Sequence, residues 1–312
     1  MKNYFKKSIK LTIGIVVILN FIFLTLNYFD SERIWNSIVR IFHHPILLLS
    51  IFFIYFLSFY CKAFAWKLYL RGRARLSTCL IGIFYSLFVN HLLPIKIGDL
   101  LRIKIMITRD KQITTGEVFQ SVFLLRVLDM MSLIFMALIG LISLRVKFIF
   151  PVWTVLFSAV VCLLIIFMLK KYAPIFLNEH ISIFKNALLN RNGLAIVLFT
   201  FMSWVLEAGV IYFTVKSLSG DLTILESIFA NSVTIAGQIF QITPGGLGNY
   251  ESFLAFALGV VGFTIKEGYT IAIVTHFIKF LFSYIVGVVI LVSYPISVQT
   301  FKDWIRVRGV KS

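Results

Sequence analysis

Apolar residues fill this chain in long blocks. The polar positions that divide the blocks are of two kinds: short basic clusters, and two breaks rich in proline, glycine and side-chain amides. After Lys2, Lys6, Lys7 and Lys10, Leu11 to Phe29 forms a first run of about the 20 residues that a bilayer crossing requires. It ends in Asn27-Tyr28-Phe29 rather than in small residues, so it reads as an uncleaved helix and not as a signal peptide. Pro45 opens a second crossing through about Tyr60. Gln120 to Ser143, Pro151 to Leu169, Leu194 to Val215 and Thr270 to Tyr294 supply four more. The pattern therefore predicts an all-α integral membrane protein, a polytopic bundle of about six full spans.

Two stretches do not fit a simple span. Cys79 to Leu93 is apolar but only about 15 residues long, short for a crossing and suited to a re-entrant segment. It runs into Asn90-His-Leu-Leu-Pro94-Ile-Lys-Ile-Gly98-Asp99-Leu-Leu-Arg102. The second stretch, Gln241-Ile-Thr-Pro244-Gly245-Gly246-Leu-Gly248-Asn-Tyr-Glu251, stands between the apolar runs Ile224 to Phe240 and Ser252 to Phe263. Amide, proline, glycine and acid come in the same order in both. At membrane depth irregular backbone is tolerated only when buried in protein or lining a wet cavity. Paired Pro/Gly-broken segments in corresponding halves point to the binding site of a transporter built from repeats. Two halves follow, about 9–145 and 150–296, within one transmembrane domain covering 1–312. Each half holds two spans, a re-entrant hairpin and one more span, in opposite topology. The exposed amides of Gly245 to Gly248, next to a helix start at Glu251, are candidates to meet a lipid phosphate.

Composition agrees. Of 312 residues 60% are hydrophobic and only 14% are charged, well below the share of about 25% that a water-soluble globule carries. A net charge of +17 would suggest nucleic acid in a soluble protein, but here the charges sit in juxtamembrane clusters such as Lys62, Lys67, Arg71, Arg73 and Arg75. With the N-terminus inside, 22 of the 30 basic residues fall on cytoplasmic segments and 6 on outer ones. That asymmetry predicts a cell-membrane protein with both termini cytoplasmic. Cys61, Cys79 and Cys162 show no C-x-x-C spacing, and neither disulfide nor zinc framework follows.

Four ionisable residues fall inside apolar spans, where they are functional candidates by default. Arg126 and Asp129 stand three apart on one helix face and are placed to pair, as a structural couple or toward a substrate. Glu207 and Lys279 have no charged neighbour one turn away; Lys279 follows His276 by one turn. A Glu207 to Lys279 bridge between helices is one reading and a substrate role is the other. No metalloprotease, P-loop, nucleophile-elbow or dinucleotide motif occurs, so neither catalytic residue, cofactor nor metal is expected.

At these residues the chain resembles the flippase-like membrane family typified by the N-terminal transmembrane region of lysylphosphatidylglycerol synthase. The matching pieces are Asn90-x-x-x-Pro94-x-x-x-Gly98-Asp99-x-x-Arg102, with Asp99 where the family usually has Glu, then Arg126-x-x-Asp129 and Pro244-Gly245-Gly246-Leu247-Gly248-x-x-Glu251. Full-length synthases add a soluble aminoacyl-transfer domain, and no matching stretch stands in these 312 residues. The resemblance implies movement of a phospholipid or lipid-linked head group between leaflets rather than enzyme activity. A membrane partner or an enzyme of polyprenyl-sugar or lipid glycosyl transfer, and a non-transporting membrane scaffold, are the alternatives. Membrane lipids, anionic ones above all, are the expected partners, together with a lipid-modifying enzyme; nucleic acid is not. The expected site comprises Asn90, Pro94, Gly98, Asp99, Arg102, Arg126, Asp129, Glu207, Gln241, Pro244, Gly245, Gly246, Gly248, Glu251 and Lys279.

Overall fold

The computed structural model describes residues 19, 21–93, 97–144, 185, 189, 191–238 and 243–296. The expected span Pro151 to Leu169, most of the first span, Pro94 and Gln241 lie outside them. Among the described residues every element is helical. In chain order these are α1 (Ser31–Phe42), α2 (Pro45–Tyr69), α3 (Leu76–Leu92), α4 (Gly98–Arg109), α5 (Thr115–Ser143), α6 (Gly193–Ser217), α7 (Ile224–Gly237), α8 (Asn249–Val260) and α9 (Ile265–Ser293). Among the described residues between α7 and α8 is a 3-10 turn, Pro244–Gly246. Residues 21–28 are also helical.

α2, α5, α6 and α9 are each long and apolar enough to cross a membrane. At 25 residues, α2 and α6 reach about 37 Å, more than the hydrocarbon thickness of roughly 30 Å. The expected crossing that began at Pro45 continues past Tyr60 to Tyr69, which takes Lys62 into the helix interior. It is therefore no juxtamembrane charge. With Lys62 and the buried Arg102 removed from the cytoplasmic tally, the basic asymmetry still stands at 20 to 6.

Helix starts follow local chemistry. Thr114 with Glu117, Thr223 with Glu226 and Thr264 with Glu267 each form a reciprocal capping box that satisfies the first free amides of α5, α7 and α9. α1 lies between the first two expected crossings, where no helix was expected. It is an amphipathic helix, capped by Asp30 at 2.9 Å from the Arg33 amide, burying Ile34 and Ile41 and exposing Trp35 and Phe42. The Arg33 amide, then Lys266, hold the Asp30 carboxyl below its usual range.

Helix lengths repeat. α2, α3, α4 and α5 have 25, 17, 12 and 29 residues, and α6, α7, α8 and α9 have 25, 14, 12 and 29. α2 and α6 pack antiparallel at the centre: Phe64 meets Phe199 at 4.7 Å between rings, and Gly209 lies so close to Ile54 that a Cβ would fall 2.8 Å from Ile54 Cδ1. The first helix of each short pair leans on a long helix distant in the chain, with Gly140 of α5 under Phe229 of α7 and Gly287 of α9 under Phe88 of α3. Small residues under large ones allow the close approach that membrane helices need, since lipid is as apolar as leucine and burial alone does not drive them together.

The helix pairs α3–α4 and α7–α8 open at opposite ends of the bundle. At the first, Arg75 before α3 binds Asp110 after α4 through its amide at 3.1 Å and its Nε at 2.8 Å. Near the second, α1 reaches the end of α6 through Arg40 and Ser219 at 3.4 Å and the start of α9 through Arg33 and Glu267 at 3.6 Å.

Candidate functional site

α3 stops after Leu92, and α4 begins only at Gly98. Asn90 Oδ1 accepts from the Gly98 amide at 2.9 Å, so the asparagine of the first break closes the turn it helps to make. Gly98 is required there by space, as a Cβ would sit 2.7 Å from that same Oδ1. In the second break Gly245, Gly246 and Gly248 all have positive φ, a region where a side chain is strained. Phe280 of α9 packs on Gly245, leaving no room for a Cβ. The amides of Gly246 and Leu247 donate to Thr243 and Pro244 carbonyls, and Gly248 N donates to Glu251 Oε2 at 2.6 Å. Those three amides are taken, so the loop as it stands offers no row of free donors to a phosphate. Its glycines serve packing and turn geometry instead.

Between the two breaks the charged residues form one connected series. Arg126 of α5 donates to both carboxylate oxygens of Asp99 in α4, Nε to Oδ2 at 3.0 Å and an η nitrogen to Oδ1 at 2.8 Å. Arg102, one turn along α4, stands 3.5 Å from Asp99 and stacks over the Trp66 ring at 4.4 Å. Asp129 lies 3.8 Å from Arg126 and accepts from Trp204 Nε1 at 2.9 Å. Lys62 caps the face of that same indole at 3.4 Å and reaches Glu207 Oε2 at 3.1 Å. Lys279 holds the other oxygen of Glu207 at 3.0 Å and lies 5.1 Å from the Tyr250 ring. Tyr250 stacks on His276 at 4.3 Å, and His276 joins Glu251 at 2.7 Å.

Most of this series is buried. The side chains of Glu207, Lys279, Glu251 and His276 keep 6% or less of their surface, whereas Arg126 keeps 41% and Asp99 33%. Arg126 and Asp99 are thus the accessible end. A cavity of about 200 Å³ runs along the series, lined by Asn90, Arg102, Arg126, Asp129, Glu207 and Lys279 among others. Ligand pockets for drug-sized molecules begin at about 300 Å³, so this space suits a phosphate or a small head group rather than a whole lipid. Two of its polar atoms, Arg102 Nε and Tyr250 Oη, are buried without a hydrogen-bond partner among the described residues. Buried polar groups are ordinarily paired, and these two stand as exceptions on residues that line the cavity.

Of the expected residues, Asn90, Arg102, Arg126, Asp129, Glu207, Gly245 and Lys279 line the cavity, and Asp99 and Glu251 pair with residues that do. Gly98, Pro244, Gly246 and Gly248 shape the two turns. Lys62, Trp204, Tyr250 and His276 were not among the expected residues. Lys62 stands one turn before Trp66, on an otherwise apolar run, a signal masked by its nearness to the basic cluster that follows.

Residues 11–287 match the model of a family described as the lysylphosphatidylglycerol synthase TM region. A UPF0104 membrane protein of Methanocaldococcus jannaschii is 25% identical over 212 residues, which cover 62% of this chain and 88% of that one. No solved structure matches the chain. With a match over most of its length, and the Asn90, Arg126 and Pro244 motifs gathered around one cavity, the chain belongs to the lysylphosphatidylglycerol synthase transmembrane-region family of multi-pass helical membrane proteins.

Proposed function

We propose that this protein moves a lipid with an anionic head group, a phospholipid or a lipid-linked group, between membrane leaflets. The observation that carries the reading is the arrangement at Glu207. Two ammonium groups, Lys62 and Lys279, share one carboxylate, and the series outside the His276–Glu251 couple sets four cations, Lys62, Arg102, Arg126 and Lys279, against three carboxylates, Asp99, Asp129 and Glu207, which leaves a surplus positive charge inside an apolar bundle. Unpaired buried charge is expensive. An entering phosphate would neutralise it, and Arg102 and Tyr250, whose Nε and Oη have no hydrogen-bond partner among the described residues, line the same cavity. Arg126 at the accessible end is the first cation such a head group would meet, with the acyl chains left in lipid beside the exposed apolar faces of α5 and α9.

In this reading α3–α4 and α7–α8 are re-entrant hairpins. Support comes from the contacts that hold the two ends of α3–α4 together, from the shortness of its helices, and from the opposite ends at which the two pairs open. The halves 9–145 and 150–296 then form an inverted repeat within one domain in the cell membrane, both termini cytoplasmic, acting as a transporter and not as an enzyme. A lipid-modifying enzyme is the natural partner, supplying or consuming the lipid. The test is reconstitution into phosphatidylcholine vesicles with a fluorescent phosphatidylglycerol, its leaflet distribution read by chemical quenching. Faster exchange of the anionic lipid than of a fluorescent phosphatidylcholine supports the reading; equal rates with and without protein overturn it.

A further inference from the structure

The ion series has one titratable couple that anion binding does not use, and it sits on the second break. His276 Nε2 is 3.1 Å from the Gly245 carbonyl oxygen, and its Nδ1 is 2.7 Å from Glu251 Oε1. A carbonyl oxygen only accepts, so Nε2 carries a hydrogen. Nδ1 and Glu251 Oε1 then share a second proton, as imidazolium with carboxylate or as imidazole with carboxylic acid. Both residues are about 3% exposed, so no water shell absorbs a change in that proton.

We propose that His276 and Glu251 form a proton-binding site whose occupancy latches the loop 243–248 and couples it to the Lys62–Glu207–Lys279 cluster. When the shared proton leaves to water, one N–H faces two acceptors, and one contact must break. With Nε2–H kept on Gly245, the Nδ1 lone pair confronts the Glu251 carboxylate and pushes it away. Glu251 is also the acceptor of the Gly248 amide at 2.6 Å, so its movement releases the loop. The displaced carboxylate then competes with Glu207 for Lys279, across the Tyr250 ring that lies 4.3 Å from His276 and 5.1 Å from Lys279. The other titratable groups around the site are His91 of α3, with ring centroids 6.5 Å apart, Tyr55 of α2 beside Lys279, Glu207 of α6, and Tyr269 of α9, which lies near Glu251 and whose hydroxyl is 2.7 Å from that of Thr25 in the helix 21–28. Asp30 and Arg33, at the start of α1, pair with Lys266 and Glu267 in the first turn of α9. A proton moving between the two sides of a membrane through this couple would supply the driving force for lipid movement, a role that rests on the transport reading above.

The site itself is tested without transport. In full-length protein labelled with 15N-histidine in nanodiscs, His276, assigned with His276→Gln, should show both ring nitrogens protonated or in fast exchange with one shared proton, and lose that proton in a single step as pH rises. A nitroxide on Leu247→Cys, in a background with Cys61, Cys79 and Cys162 replaced by alanine, should gain mobility over the same pH interval. The transition should vanish in His276→Gln and in Glu251→Gln, each checked for folding by thermal unfolding. A single fixed neutral tautomer at all pH values, or a mobility transition that survives both substitutions, overturns the proposal. Transport comes last: an imposed pH gradient should change the rate of fluorescent phosphatidylglycerol movement in wild-type vesicles, and a rate indifferent to the gradient overturns the coupling. A couple that titrates and frees the loop in a protein that moves no lipid supports the site and overturns the transport reading instead.

Discussion

Arg126 engages Asp99, 27 residues earlier in the chain, with two hydrogen bonds of 2.8 and 3.0 Å, while Asp129, on its own helix face, stays 3.8 Å away. Spacing along α5 made Asp129 the expected partner, yet a carboxylate brought in by α4 has the better geometry, two parallel N–H···O bonds. Arg126 and Asp99 both keep side-chain surface free of protein contact, so the pair is not sealed in the core. A double-mutant cycle with Asp99→Asn and Arg126→Gln should give a coupling of about 1 kcal/mol, the upper end for accessible pairs. The same cycle on Asp129 and Arg126 should give close to zero. Unfolding in detergent micelles reads both, and a larger coupling for Asp129 would reverse the assignment.

The ends of α3–α4 give a topological prediction. Arg75 binds Asp110, and Gln112 Nε2 donates to the Arg73 carbonyl at 2.5 Å, which puts the segment before α3 beside the segment after α4. Cysteines at Arg73 and Lys111 should therefore react with a hydrophilic maleimide from the same side of the membrane, the cytoplasmic one, and a cysteine at Asp221 only from outside. Labelling of Arg73 and Lys111 from opposite sides would make α3–α4 a true crossing and remove the inverted repeat.

Much of this was open to the sequence, and the limits have physical causes. Span existence follows from composition over 20 residues, so α2, α5, α6 and α9 lay close to their expected places. The breaks at Asn90 and Pro244 were visible because glycine and proline are costly in a buried helix. α1 was missed because Ile34, Ile38 and Ile41 recur among Arg33, Asn36 and Arg40, and a short amphipathic helix disappears in an average of hydropathy. Lys62 was read as a surface charge for a related reason: only the antiparallel packing of α2 on α6 brings it to Glu207. Long-range partners depend on which helices meet, and no local pattern encodes that for Asp99, His276 or Tyr250.

Gly245 and Gly262 separate backbone strain from crowding. Both have positive φ, 61° and 108°, but a Cβ on Gly262 meets nothing within 4 Å, whereas one on Gly245 would overlap the Phe280 ring. Gly262→Ala should cost about 1 to 2 kcal/mol, the left-handed penalty alone. Gly245→Ala adds an overpacking cost of roughly 1 to 3 kcal/mol. Combining Gly245→Ala with Phe280→Ala should recover part of that second cost, less the loss of the ring's own packing. Thermal unfolding of the four proteins checks it, and equal destabilisation by both alanines would show that Phe280 simply moves aside.

The cluster at Glu207 gives the sharpest separation of architecture from function. A two-residue bridge between Glu207 and Lys279 would make the double replacement Glu207→Leu with Lys279→Leu nearly neutral, since a buried pair exchanged for apolar residues leaves no charge behind. Three residues change that result. With Lys62 also bonded to Glu207, the double replacement strands an ammonium over the Trp204 ring, and destabilisation of roughly 3 to 5 kcal/mol should persist. Adding Lys62→Met should restore most of it. Lys62→Met alone should cost less stability than the double replacement, because Glu207 keeps Lys279 and Asp129 keeps Arg126 nearby, yet it removes the surplus positive charge and should lower exchange of fluorescent phosphatidylglycerol. Stability and lipid exchange measured on the same preparations decide between the roles. A double replacement as stable as wild type would dissolve the three-residue cluster, and unchanged lipid exchange in a stable Lys62→Met protein would leave the cluster as architecture alone.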